Sequence, residues 1–146
     1  NRHLRSHAQN SSSADSFPSP CRGSHGGSAL SALGGLIRLG ELNASAPPIS
    51  HALKLELDGR YYWFGGSRET CYQWPAQTCD GSAPSRYTGA NPHVRPGALL
   101  AVPPQVAARL QLSSEPARRI LHALTDFGGY LVVRSAGFLF RLSQHL

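Results

Sequence analysis

The stretch HALKLELDGRYYWF, residues 51–64, carries the strongest periodic signal in the chain. Leu53, Leu55 and Leu57 alternate with Lys54 and Glu56, which places three leucines on one face of a strand and two charges on the other. Asp58-Gly59 follows, a pair able to supply the positive φ angles of a two-residue turn. Arg60 to Phe64 then return as an aromatic partner strand, ended by Gly65-Gly66. Read this way, the stretch is a β-hairpin and seeds an antiparallel sheet.

Working outward, the upstream segment ALSALGGLIRLGEL (29–42) is broken by Gly34-Gly35, and LIRLGEL then reads as a strand with Leu36 and Ile37 directed inward. Downstream, residues 80–96 form a long loop of the kind that is functional or ordered by a partner. GALLAV (97–102) is a short buried strand stopped by Pro103-Pro104. A helix is predicted near 114–127. Ser113 or Ser114 caps it, Glu115 suits its positive end, and Pro116 sits where a missing N–H is harmless. Ala117, Ile120, Leu121 and Leu124 share one apolar face, and Gly128 is placed to stop the helix. Tyr130 to Val133 read as a buried strand. Ser135-Ala136-Gly137 turns the chain, and FLFRL (138–142) returns as a second hairpin arm.

The fold these elements predict is mainly β, β-sandwich-like and largely antiparallel, with that one packed α-helix; an α+β domain is the alternative. Residues 1–28 are rich in Ser, Asn, Gly, His and Pro and have little to bury, so they read as an extended or flexible arm. Residues 29–146 then form a single domain. The chain holds no methionine, even at position 1, which reads as a fragment or processed product and leaves room for an absent upstream segment or a partner chain to complete the sheet.

Cys71 and Cys79 frame the segment CYQWPAQTC. Zinc sites want closer ligand pairs and four ligands in total, and thioredoxin-like redox chemistry wants C-x-x-C. A disulfide closing a short loop fits best, with Trp74 and Pro75 at its tip. Cys21 is left over and reads as unpaired or intermolecular. Asn10-Ser11-Ser12 and Asn43-Ala44-Ser45 match the N-glycosylation acceptor pattern, which places Asn10 and Asn43 as glycan sites in an extracellular or cell-surface protein.

The net charge is +6, and 13 of the 14 basic residues are arginine. They are scattered rather than clustered, which argues against a nucleic-acid face and leaves a solvated basic surface or an acidic glycan partner. No apolar run reaches the ~20 residues needed to span a bilayer. His3, His7 and His25 are irregularly spaced in the arm, and no metal or cofactor motif is present.

Five blocks, GGSALSALGGLIRLGEL, ISHALKLEL, YQWPAQTCDG, RPGALLAVPP and ARRILHALTDFGGYLVV, come in an order that resembles the C-terminal half of a poorly characterised family of secreted, extracellular β-rich proteins of bacteria and microbial eukaryotes. The resemblance runs over about residues 23 to 135. It is carried by His51-Ala52-Leu53, Trp74-Pro75-Ala76, Asp80-Gly81, Gly97 and Phe127-Gly128-Gly129-Tyr130. It implies an extracellular β-rich domain associated with cell surfaces or polysaccharides, and it supplies no catalytic set.

Candidate catalytic groups are His51, as base or ligand, and Asp80 with Asp126 as a glycosidase-type carboxylate pair. Two of them have a plainer role to hand: His51 as a satisfied structural histidine and Asp80 as a turn residue before Gly81. Ser28 and Ser31 lack the G-x-S-x-G surroundings of a nucleophile. The aromatics between positions 61 and 87 are the richer signal. Tyr61, Trp63, Trp74 and Tyr87, edged by Arg60 and Arg86, are the candidate binding platform, although alternate members of a strand belong in the core. The reading is a secreted, glycosylated, non-catalytic structural or adhesive module that associates with carbohydrate or with other protein subunits, as a homo-oligomer or filament. A fragment of a polysaccharide-active enzyme, a glycoside hydrolase or lyase, is the alternative.

Overall fold

A computed structural model describes residues 27–134 and 139–140. In chain order the elements are β1 (Leu53–Leu57), α1 (Gly59–Tyr62), α2 (Ala83–Arg86), β2 (Leu99–Leu100), α3 (Pro104–Ala107), α4 (Glu115–Asp126), β3 (Gly129–Arg134) and β4 (Leu139–Phe140). Cys21, Asn10, the arm up to residue 26 and the turn at 135–137 lie outside the described residues.

The strands form one small sheet in the order β2-β3-β1-β4. Its central pair is parallel, with Leu53 opposite Gly129 and Leu55 opposite Leu131. β2 adds to β3 and β4 to β1, both antiparallel. This corrects the expected β-sandwich: the molecule is a small α+β arrangement around a mixed sheet, and among the described residues no second sheet packs against it.

The correction begins at Asp58. A two-residue hairpin turn needs positive φ at its centre, whereas Asp58 has φ −69° and Gly59 has no positive φ. The Asp58 carboxylate instead caps α1, accepting from the Arg60 N–H at 3.0 Å and from the Arg60 guanidinium at 2.8 Å. A side chain that satisfies an otherwise free N–H of the first turn makes the helix start cheaper than the turn. Arg60 to Tyr62 therefore coil, the chain leaves the sheet, and the slot beside β1 is taken by β3 after a long crossover. The second expected hairpin fails too. β4 does not return beside β3 but pairs across the other edge of β1, Leu55 with Phe140 and Glu56 with Leu139. Residues 36–42 are not a strand. Only Ile37 makes a bridge, and successive turns follow, with Asn43 N donating to Gly40 O at 2.9 Å and Ala46 N to Asn43 O at 3.0 Å.

The helix expected near 114–127 is α4. Ser114 Oγ accepts from Ala117 N at 3.4 Å, and Gly128 follows the helix with φ +72°. A Cβ on Gly128 would lie 2.8 Å from Leu100 O, so glycine both ends the helix and lets β3 enter beside β2.

Two apolar clusters, both touched by Leu124 of α4, pack on the leucine face of β1. One joins Leu55 and Leu131 to Trp63, Tyr87, Ala98 and the disulfide. The other joins Leu53 to Ile37, Ile49 and Ala123 of α4. Strand β1 is covered on both faces, as central parallel strands are. Lys54 and Glu56, expected on a solvated face, are 2% and 1% exposed.

Candidate binding site

Cys71 and Cys79 are joined by a disulfide, with Cα atoms 6.0 Å apart and both residues buried. The loop they close is anchored along its length. Gln73 N donates to Pro96 O at 2.9 Å, Arg95 Nε to Gln73 Oε1 at 3.2 Å, and Gln77 N to Ser28 O at 3.0 Å. A turn from Gln73 to Ala76, closed by Ala76 N to Gln73 O at 2.9 Å, lifts Trp74 off the surface. Gly97 makes this docking possible. It has φ +88°, and a Cβ there would sit 1.8 Å from Gln73 O. The result is an indole that is 85% exposed on a tethered loop.

The expected aromatic platform divides. Trp63 and Tyr87 are 0% and 5% exposed and meet edge to face at 5.3 Å between ring centres, so both belong to the core and are withdrawn from the platform. Tyr61 and Tyr62 ride exposed on α1, and the Arg60 guanidinium lies 5.4 Å from the Tyr61 ring centre. Arg86 is exposed in the last turn of α2. Trp74 stands on the disulfide loop.

The three catalytic candidates fall in three neighbourhoods. His51 is held at both nitrogens, with Nδ1 3.0 Å from Ala52 O and Nε2 3.2 Å from both Glu41 carboxylate oxygens. Neither nitrogen is left to face a substrate. Burial pushes the Glu41 carboxyl up, but the Arg38 N–H, at 2.7 Å, and His51 together outweigh it and hold the group below its ordinary value. Asp80 accepts from the Tyr87 hydroxyl and so serves the core. Asp126 is exposed, 3.4 Å from His122 Nδ1 at the end of α4. Among the described residues no group of three His, Cys, Asp or Glu side chains converges in metal-binding fashion.

A cleft of about 270 Å³ opens beside the Trp74 loop. Pro75, the chain neighbour of Trp74, forms one wall; the turn containing Ser31 and Gly34 forms another; Lys54, Tyr130 and Val132 form the floor. The floor follows from the ladder. Lys54 and Tyr130 are register partners, and partners in a sheet point to the same side, as do residues two apart. Lys54, the single lysine of the chain, is tied down by donating from Nζ to Ala32 O. Sequence reading missed this cleft because Lys54 alternates like a surface residue. The Gly34-Gly35 pair, where the chain folds back so that Gly35 O accepts from Lys54 N at 2.9 Å, was its one local sign. A larger groove of about 480 Å³ runs between α3 and α4, lined by Leu110, Leu112 and Leu121 with His122 and Asp126 at its rim.

Comparison with protein-family models, with curated proteins and with solved structures finds no match for the chain. Among the described residues no helix is long and apolar enough to cross a membrane.

Proposed function

We propose that the chain is a secreted, glycosylated extracellular module that binds carbohydrate, with the indole of Trp74 as its principal contact and no catalytic step of its own. The observation that carries the reading is the 85% exposure of Trp74 on a loop clasped by a disulfide. An apolar ring of this size is normally buried. Held in water on a tethered loop, it offers a pre-organised stacking face, which lowers the ordering cost of binding. Sugar rings present flat C–H faces suited to such a surface. The disulfide is compatible with an extracellular site of action. The sequon at Asn43 lies on an exposed turn, where a glycan has room. Tyr61 and Tyr62, exposed on α1, are available for contact with neighbouring subunits.

The test is co-sedimentation of the secreted chain with insoluble polysaccharides (cellulose, chitin, xylan and acetylated xylan), comparing wild type with Trp74→Ala and Tyr61→Ala. Retention on at least one of them, weakened about tenfold or more by Trp74→Ala and little changed by Tyr61→Ala, is expected, since a tenfold loss matches the ~1.4 kcal/mol that one stacked aromatic contributes. Equal retention of wild type and Trp74→Ala would remove the site.

A further inference from the structure

We propose that the cleft beside Trp74 is a subsite for an acetyl group carried by the bound saccharide. The inference rests on the carbohydrate reading above and names the class of sugar. At about 270 Å³ the cleft lies just under the ~300 Å³ at which drug-sized pockets begin, so it suits one ring or one substituent rather than a chain. Its walls are mostly apolar: Leu30, Pro75, Val132 and the ring of Tyr130. An unsubstituted sugar presents hydroxyls there. Each hydroxyl moved out of water without a partner is penalised, whereas a methyl is favoured in the same place.

One group in the wall is poised to donate. Ser31 Oγ accepts from Leu33 N at 3.2 Å and from Gly34 N at 3.1 Å. With its acceptor positions directed at the backbone, the exposed hydroxyl gives its hydrogen to solvent until a partner in the cleft replaces the water. A carbonyl next to a methyl answers both features: the methyl meets the apolar wall and the oxygen accepts from Ser31. Trp74 does not line the cleft but is joined directly to Pro75 of its wall, and in the proposal its exposed indole stacks on the ring bearing that substituent. N-acetyl and O-acetyl groups share this chemistry.

The experiment is calorimetric titration of the whole secreted chain with two matched pairs: chitotetraose against cellotetraose, and acetylated against saponified xylotetraose. The first pair reads an N-acetyl source and the second an O-acetyl source. The acetylated member of at least one pair should bind tenfold or more tightly than its partner. Ser31→Ala should reduce that ratio severalfold. Gly34→Leu, at an exposed position where a Cβ meets only Ser31 at ordinary contact distance, should fill the mouth and bring the ratio close to one. Trp74→Ala should weaken both members of the pair. Ratios near one in both pairs overturn the acetyl subsite and leave the stacking reading intact. Binding of none of the four sugars overturns both. A preference that survives Gly34→Leu unchanged places the acetyl group elsewhere and also overturns the assignment.

Discussion

The two tryptophans separate stability from recognition. Trp63 is fully enclosed beside Tyr87, and Trp74 is almost fully exposed. Trp63→Ala should lower the unfolding free energy by about 3–5 kcal/mol, the usual consequence of emptying an aromatic site. Trp74→Ala should change it by no more than about 0.5 kcal/mol. Urea denaturation of both variants checks this, and similar losses for the two would contradict the assignment of roles. Glu41 makes a second separable contribution. Its folded-state pKa lies below its ordinary value of 4.5, so the ionised form binds its Arg38 and His51 partners better than the protonated one. The stabilisation is therefore present above the ordinary value and lost as pH falls through the lowered one. Thermal melts from pH 6 to pH 3 should show a steeper acid decline for wild type than for Glu41→Gln; parallel declines would mean that the carboxylate contributes nothing.

Helix α4 shows how far local rules reach. Its cap, its proline in the first turn, its apolar face and its glycine stop were all legible before any tertiary information, because each acts within a few residues of itself. What the helix does for the fold was not legible. Arg119, next to Arg118 in the chain, is 9% exposed. Its guanidinium donates to Glu41 O and Ala46 O, each at 2.7 Å, and to Pro47 O, pinning a loop more than seventy residues upstream. Arg119→Ala leaves those carbonyls without their donor and should cost about 2–4 kcal/mol. Arg119→Lys should recover only part, because an ammonium cannot reproduce the planar fork. Ser114→Ala, which removes one capping acceptor, should cost about 1 kcal/mol. Chemical denaturation orders the three variants, and an Arg119→Ala loss no larger than that of Ser114→Ala would show that the loop is held by other contacts.

The assembled chain depends on the clasp between Cys71 and Cys79. By the loop-closure argument a bridge over eight residues contributes roughly 2–3 kcal/mol. Reduction should lower stability by about that amount and weaken polysaccharide retention, since both sulfurs sit in the same cluster as Trp63 and Leu131 and the loop carries Trp74. Retention unchanged in reductant would mean that the bridge does not hold the indole in place. This pairing was readable from spacing alone, because other uses of two cysteines demand different spacings. The partition of the aromatics was not. Tyr61 and Trp63 were grouped as one platform on the premise of a strand, and once α1 coils, neighbouring residues no longer alternate between two faces.

From the amino-acid order alone came the strand at 53–57, the helix with both its ends, the strand at 130–133 and the candidate clasp, since these rest on periodicity, capping and spacing within one segment. Only the three-dimensional chain decided which strand lies beside which. Asp58 has a choice between turning the chain back and capping a helix, and the energy difference between the two is small beside that of pairing β1 with β3 and burying its leucine face against α4. That burial draws on residues far away in the chain. For the same reason the sheet is mixed, Lys54 lies under a cleft, and the indole left in solvent is Trp74.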